Sequence, residues 1–131
     1  MNSAILEHVN VTVSDPEKTA ALLSDLFNWH IRWSGDSING GKTIHVGSEG
    51  SYVALYSPGG ETTVTGSSYE NLGGLNHIAV VVNDLDVIEA RVKSAGFTAS
   101  NHGDYEPGRR FYFHDHDNIE YEVVSYAPKN S

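Results

Sequence analysis

The chain has 131 residues, a length typical of a single domain, and 17 acidic against 8 basic residues give a formal net charge of −9. This charge, with basic residues scattered along the chain, argues against nucleic acid or an anionic membrane as a partner. The absence of cysteine excludes disulfides and cysteine-bound metals, and the lack of a signal peptide or of an apolar run of about 18 residues leads us to expect a cytoplasmic protein.

An internal repeat is the most informative feature of the sequence. LEHVNVTVSDPE, which starts at residue 6, aligns with LNHIAVVVNDLD, which starts at residue 75, and the alignment pairs His8 with His77 and Asp15 with Asp84. Each copy has the composition of a β-strand followed by a helix N-cap signal. We therefore expect two copies of one structural module.

The first module begins with this strand, after which Pro16 suits the first turn of a helix. The helical stretch places four residues on one face: Thr19, Leu22, Leu23 and Leu26. Three shorter strands are predicted after the helix, near Trp29–Trp33, Lys42–Gly47 and Ser51–Tyr56.

The second module repeats the order after Ser57–Gly74, a stretch rich in glycine, serine and threonine that we interpret as a connecting loop. Gly96 suits the C-terminus of its helix. That helix has an apolar face formed by Leu85, Ile88, Val92 and Ala95. The strands of this module are predicted near Thr98–Asn101, Arg109–His114 and Ile119–Ser125.

Both modules thus have the order β-α-β-β-β, which predicts an α+β fold with mixed sheets. The modules are expected at about 4–57 and 74–127, with a linker at 58–73. Neither is long enough to bury much of a core alone. We therefore expect one domain, residues 1–131, in which the two modules form a curved mixed sheet with a central polar groove.

Alternation along the strands predicts which side chains face this groove. In the first strand the valines face the helix and His8 faces away, and His77 takes the matching position in the second module. In the last strand Glu120 and Glu122 share one face, whereas Tyr121 belongs to the opposite row.

His8, His77 and Glu122 form a recurrent set of metal ligands. Two imidazoles and one carboxylate bind a divalent cation and leave positions open for a substrate oxygen, water or dioxygen. Either histidine alone could instead be a hydrogen-bonded strand residue, and Glu122 a solvated edge carboxylate. The matched positions of the two histidines favour the metal site.

Further polar residues are expected to face the groove. Tyr112, Glu120 and His114 are candidates for moving a proton, although Glu120 could also be a rim charge or a further ligand, and His114 a surface residue. Four residues are expected to line the groove: His45, Tyr52, Tyr56 and Arg110. The tyrosines could equally be half-buried strand aromatics. Three histidines are expected at the surface: His30, His102 and His116.

These features together resemble the vicinal oxygen chelate superfamily, which includes glyoxalase I, extradiol dioxygenases, fosfomycin-resistance thiol transferases and bleomycin-binding proteins. The resemblance covers nearly the whole chain and rests on the doubled module, HVNVTVSDPE, LNHIAVVVNDLD and FYFHDHDNIEYEVV. The last is similar to the family's FYF-x-D-x-D-G-x-x-x-E signature, with Asn118 at the usual Gly and His116 at the usual Pro. It implies a glyoxalase-like fold.

Carried over to this chain, the resemblance places His8, His77 and Glu122 at the family's metal-ligand positions and implies a divalent ion: Fe, Mn, Zn, Ni or Co. Glyoxalase I has a fourth ligand, a glutamate, where this chain has Ala54, which argues against plain glyoxalase I chemistry. Tyr112 resembles the active-site tyrosine of the dioxygenases. Fosfomycin enzymes need cations to hold a phosphonate, and a single lysine follows Glu122, so that activity is not expected.

The resemblance implies two classes of function. One is a metal-dependent enzyme, either a lyase or isomerase or a dioxygenase, that acts on a small oxygenated substrate chelated to the metal. The other is a non-catalytic protein that sequesters a hydrophobic or cationic drug in an acidic, tyrosine-lined groove. Homodimers are common in the family, so His8 of one subunit could meet His77 and Glu122 of another copy.

Overall fold

The computed structural model describes residues 2–64, 66–105 and 108–127. The chain divides into two units, Met1–Thr65 and Gly66–Ser131. The boundary between them falls inside the stretch predicted as a linker. Each unit has the order of one strand, one helix and three strands that the repeat predicts.

The first unit is a four-stranded mixed sheet with a helix packed on one face. Its elements are β1 (His8–Thr12), α1 (Pro16–Phe27), β2 (His30–Asp36), β3 (Lys42–Gly47) and β4 (Tyr52–Ser57). The strands lie in the order β1-β4-β3-β2, with β1 parallel to β4 and the other neighbours antiparallel. A 3₁₀ turn at Ile38–Gly40 joins β2 to β3.

The second unit repeats this topology. A 3₁₀ turn at Ser68–Glu70 comes first. The elements that follow are β5 (Ile78–Val81), α2 (Leu85–Ser94), β6 (Ser100–Tyr105), β7 (Gly108–His114) and β8 (Glu120–Ser125). The strand order is β5-β8-β7-β6, and β5 runs parallel to β8. The predicted α+β class with mixed sheets is therefore confirmed.

Local signals explain where both helices begin and end. The carboxylate of Asp15 caps α1 by accepting hydrogen bonds from backbone N–H groups of the first turn, and the helix ends at Asn28 in the left-handed conformation. Asp84 caps α2 in the same way, and Gly96 follows that helix with a φ of +94°. In the described part of the chain, no helix is long and apolar enough to cross a membrane.

Each sheet buries one face, where its helix packs. The buried side chains of the first unit include Leu23, Leu26, Ile44, Val46, Val53 and Leu55. Those of the second include Ile88, Val92, Phe111, Phe113, Tyr121 and Val123. These strand residues are the rows that alternation predicts as core. The opposite face of each sheet carries the polar residues predicted to form the functional site.

The strand bounds differ from the prediction where the backbone is irregular. β3 agrees with the prediction at both ends, but β2 extends to Asp36 and β6 to Tyr105. β6 contains a register shift between Ser100 and Gly103, where Asn101 has a φ of +51°. A bulge of this kind interrupts the alternation from which strand ends are predicted.

Candidate functional site

The second unit carries a polar array on the sheet face opposite its buried rows. On the central strand β8, Glu120 and Glu122 project from this face, and β7 places His114 opposite Glu120 and Tyr112 opposite Glu122. β5 lies on the other side of β8, and His77 immediately precedes it. Three neighbouring strands thus bring five predicted site residues together.

The imidazole of His77 bridges both glutamates. Its Nδ1 lies 3.2 Å from Oε2 of Glu120, and its Nε2 lies 3.3 Å from Oε1 of Glu122. Both carboxylates are largely buried, with 17% and 11% of the respective side chains exposed. His77 and Glu122, two of the three predicted metal ligands, are therefore in contact.

Arg110 holds the second oxygen of Glu122. Its Nη1 donates to Oε2 at 2.9 Å, so Oε1 is the oxygen that faces the imidazole. The guanidinium also lies 5.1 Å above the ring of Tyr105. Its Nε is buried and has no acceptor among the residues that the structure describes. A buried donor of this kind is suited to an oxygen atom of a ligand.

Tyr112 packs edge-on to His77, with 6.0 Å between the ring centroids. Burial, then the negative charge of Glu122 and a hydrogen bond to it, raise the pKa of the Tyr112 phenol. The phenol therefore keeps its proton at neutral pH and is a hydrogen-bond donor on this face.

Glu120 has a partner that the sequence did not indicate. The hydroxyl of Tyr69 donates to Oε2 at 2.6 Å, and this hydrogen bond raises the pKa of the Tyr69 phenol. Nε2 of His114 lies 3.5 Å from the other carboxylate oxygen. Tyr69 was missed because it lies in the stretch predicted as a linker, where no periodicity indicates which way side chains point.

The corresponding face of the first unit is aromatic. Tyr52 on β4 stacks between His8 and His45, with centroid separations of 4.7 and 4.5 Å. Trp33 on β2 lies 5.1 Å from His45, and the Arg32 guanidinium lies 4.6 Å above the Tyr52 ring. Arg32 and Trp33 are adjacent in sequence, yet both side chains lie on this face because β2 contains a register shift at this point. Simple alternation therefore missed Arg32.

His8 has a carboxylate partner within its own unit. Its Nδ1 lies 2.9 Å from Oε1 of Glu7, and the Tyr52 hydroxyl donates to the same oxygen at 3.3 Å. The hydrogen bond with His8 is the largest cause that lowers the pKa of Glu7. A carboxylate on one ring nitrogen is typical of metal-bound histidines, which use the other nitrogen as the ligand.

Two predicted groove residues of the first unit have different surroundings. Desolvation, followed by electrostatic interactions with His8 and Arg32, lowers the pKa of His45, which favours its neutral form. Tyr56 donates its hydroxyl to the carbonyl of Ile38 at 3.1 Å. It braces the turn between β2 and β3, and its contact with a ligand stays a prediction.

Strand register identifies Ala54 as the counterpart of Glu122. Asn10 on β1 pairs with Ala54, and Ala79, which matches Asn10 in the repeat, pairs with Glu122 on β8. The first unit therefore presents alanine where the second presents a carboxylate.

The donors in the second unit fit part of a divalent metal site. His77 and Glu122 supply an imidazole nitrogen and a carboxylate oxygen, donors that suit zinc, manganese and iron. Within the described residues, no three His, Asp or Glu side chains form a group that could hold a metal ion. His8 belongs to the other unit, and its convergence with this pair stays a prediction.

Three histidines were predicted at the surface. His30 and His102 are exposed, and Nε2 of His102 lies 2.9 Å from a carboxylate oxygen of Glu89 on α2. The prediction was wrong for His116, whose side chain is only 15% exposed. It lies in the tight turn between β7 and β8, where backbone N–H groups bond to Asp115.

The family model of the Glyoxalase/Bleomycin resistance protein/Dioxygenase superfamily matches residues 5–123. The chain therefore belongs to this superfamily, as the resemblance predicted. Among curated protein sequences, none matches this chain.

Several solved structures are similar over nearly the full length. A glyoxylase/bleomycin resistance protein/dioxygenase domain from Frankia sp. EAN1pec is 22% identical, with a TM-score of 0.81 and coverage of 99% of this chain and 96% of that one. The fosfomycin resistance protein FosX from Listeria monocytogenes, complexed with Mn(II) and sulfate, is 25% identical, with a TM-score of 0.71 and coverage of 98% and 95%. FosX from Mesorhizobium loti is 25% identical, with a TM-score of 0.70 and coverage of 95% and 92%.

Proposed function

We propose that this protein is a metal-dependent enzyme that acts on a small oxygenated substrate. The observation that carries the proposal is the contact of His77 with Glu122 at 3.3 Å on one sheet face, with Tyr112 opposite Glu122. Family membership and the Mn(II) complex of the similar FosX structure support it. His8 is the proposed third ligand.

The proposed ion is divalent, with Fe, Mn, Zn, Ni and Co as the candidates. When bound, it polarises substrate oxygens as a Lewis acid. The chain's own residues orient the substrate and move its protons. Tyr112 donates a hydrogen bond, the unpaired Nε of Arg110 binds a substrate oxygen, and Glu120, with His114 beside it, accepts a proton.

The test is metal affinity in three single variants, His8→Ala, His77→Ala and Glu122→Ala, with His102→Ala as the matched control. His102 is an exposed histidine of the same chain that pairs with Glu89 instead. Loss of a direct ligand is expected to weaken Mn(II) binding by more than about 100-fold, since outer contacts alone are worth about 10–100-fold. Affinity equal to the control in all three variants would overturn the proposal.

The reaction class is tested with the loaded enzyme. Fe(II)-dependent ring cleavage of a catechol selects the dioxygenase, whereas turnover with redox-inert Zn(II) selects the lyase or isomerase.

We propose a homodimeric, cytoplasmic protein in which one functional domain spans both units. If the site is shared between subunits, mixing His8→Ala with His77→Ala chains restores part of the metal binding; if each site lies within one chain, mixing restores none.

A second candidate is drug binding without catalysis. The aromatic face of the first unit favours it, because Trp33 is 49% exposed beside the stacked His45 and Tyr52 rings. Such a surface binds planar or cationic ligands by stacking. Ligand binding that persists in EDTA and in His77→Ala, but not in Trp33→Ala, selects this function over the enzyme.

A further inference from the structure

We infer that Glu120 and Tyr69 are positioning residues for His77: Glu120 accepts a hydrogen bond from the Nδ1–H of the imidazole, and Tyr69 holds Glu120 in place. The inference rests on the proposed function, because it assigns Nε2 of His77 as the nitrogen that binds the metal. All the residues involved belong to the second unit, and Tyr69 lies outside the predicted site.

The contact distances support this series of interactions. Oε2 of Glu120 lies 3.2 Å from Nδ1 of His77 and accepts the Tyr69 hydroxyl at 2.6 Å. The Glu120 side chain is 17% exposed, so few other positions are open to it. A short O–H···O⁻ contact is strong and directional, and it fixes the carboxylate oxygen that faces the ring.

Charge decides which glutamate accepts the hydrogen bond from the imidazole N–H. A neutral imidazole has one N–H, and the ring of His77 lies between two carboxylates. The charge of Glu122 is balanced by Arg110 at 2.9 Å, whereas Glu120 has the neutral Tyr69 hydroxyl and, at 3.5 Å, only the His114 imidazole beside it. Glu120 is therefore the stronger acceptor, and the proton belongs on Nδ1, which leaves the Nε2 lone pair toward Glu122.

The second proposed histidine ligand shows the same arrangement. Nδ1 of His8 lies 2.9 Å from Glu7, and a tyrosine hydroxyl, that of Tyr52, donates to the same carboxylate oxygen. Both units thus place a tyrosine, a glutamate and the Nδ1 of a histidine in one series. The tyrosine and glutamate of one series do not align in the repeat with those of the other, so the contacts were not inherited from a common module. Both histidines instead share one requirement, a carboxylate that accepts the Nδ1 hydrogen bond.

The turn that carries Tyr69 is itself braced. The Ser67 hydroxyl accepts the backbone N–H of Tyr69 at 3.2 Å, and the Asn71 amide donates to the Ser67 carbonyl at 2.6 Å. Tyr69 remains 60% exposed, so it contributes little to the core. Its removal is therefore expected to change the site without unfolding the protein.

The experiment measures Zn(II) affinity by competition with a chelator in Glu120→Leu, Glu120→Gln and Tyr69→Phe, with Tyr126→Phe as control because Tyr126 is also exposed. We expect Glu120→Leu to weaken binding by about 10–100-fold. Glu120→Gln keeps an acceptor and is expected to lose less. Tyr69→Phe is expected to lose about 3-fold or more, since one hydrogen bond is removed, and Tyr126→Phe to match the wild type.

The second readout is the ¹⁵N NMR spectrum of the His77 ring in metal-free protein with a neutral imidazole. The wild type is expected to carry the proton on Nδ1, and Glu120→Leu to shift it toward Nε2. If Glu120→Leu weakens Zn(II) affinity but leaves the His77 tautomer unchanged, Glu120 is a direct ligand, and the positioning role is overturned. Unchanged affinity in Glu120→Leu overturns it too. In either case, loss of binding in His77→Ala keeps the proposed function, whereas affinity equal to the control in His8→Ala, His77→Ala and Glu122→Ala alike overturns that function separately.

Discussion

Tyr121 is fully buried in the core of the second unit although it carries a hydroxyl. The hydroxyl donates to Oδ2 of Asp115 at 3.0 Å, and burial raises the pKa of the Tyr121 phenol well above its ordinary value, so it stays a donor. Oδ1 of Asp115 accepts two backbone N–H groups of the turn before β8. One tyrosine thus ties the core to the turn that positions Glu120 and Glu122.

Tyr121→Phe is expected to lower the free energy of unfolding by about 1.5–3 kcal/mol, the usual worth of a hydrogen bond to a charged group. Urea denaturation measures the change. Tyr126→Phe is the control, since Tyr126 is 56% exposed, and it should stay within about 0.5 kcal/mol of the wild type. Equal stability of the two variants would contradict the assigned role of Asp115.

Residues of the second-unit site could be predicted to different extents. Strand alternation placed His77, Glu122 and Tyr112 on one face, because side-chain direction along a strand depends only on neighbouring residues. The contact of Tyr69 with Glu120 could not be predicted, because it depends on the path of an aperiodic turn.

Helix α1 depends on its N-cap. Asp15→Ala removes the acceptor for the free N–H groups of the first turn and is expected to cost about 1 kcal/mol of stability. Asp25→Ala is the matched control, because Asp25 lies in the last turn of the same helix, where a carboxylate opposes the helix dipole. Thermal unfolding of both variants checks this, and a loss as large in Asp25→Ala as in Asp15→Ala would contradict capping.

Helix α2 is linked to β6 through Glu89, which contacts Lys93 at 2.8 Å and His102 at 2.9 Å. The hydrogen bond with Lys93, and then that with His102, lower the pKa of Glu89 below its ordinary value. A lowered carboxyl pKa contributes stability that is present above the unfolded pKa and is lost as the pH falls through the folded one.

Glu89→Gln is therefore expected to lower stability near neutral pH by about 0.5–1 kcal/mol, because the partners are exposed. The difference from the wild type should vanish as the pH falls below the ordinary glutamate pKa and through the lowered folded pKa of Glu89. Urea unfolding across this range measures it, with the exposed Glu49→Gln as control. A difference that persists in acid would show that packing, not charge, is responsible.

Element boundaries show why part of the fold was predictable. Both helices begin at an aspartate cap that the sequence indicated, because capping involves residues within one turn. The ends of β2 and β6 were not predicted correctly, because each strand contains a register shift. The partner strand decides where pairing resumes after such a shift.

The whole protein is expected to gain stability from the proposed metal. At a free Mn(II) concentration about 100 times the dissociation constant, mass action raises the free energy of unfolding by about 2.7 kcal/mol. Calorimetry should show a higher Tm for the wild type and for His102→Ala, reversed by EDTA. His77→Ala should show no shift, and a shift as large as in the wild type would place the ion elsewhere.

The order of amino acids alone determined the repeat, the α+β class, the family and the rows of core and polar residues. These depend on spacing between neighbours, which is visible along the chain. Only the folded structure decided that His77 contacts both glutamates, that Arg110 neutralises one of them, and that Tyr69 holds the other. Such contacts join strands and turns that are distant in sequence, and their geometry follows from backbone register and bulges that no local pattern records.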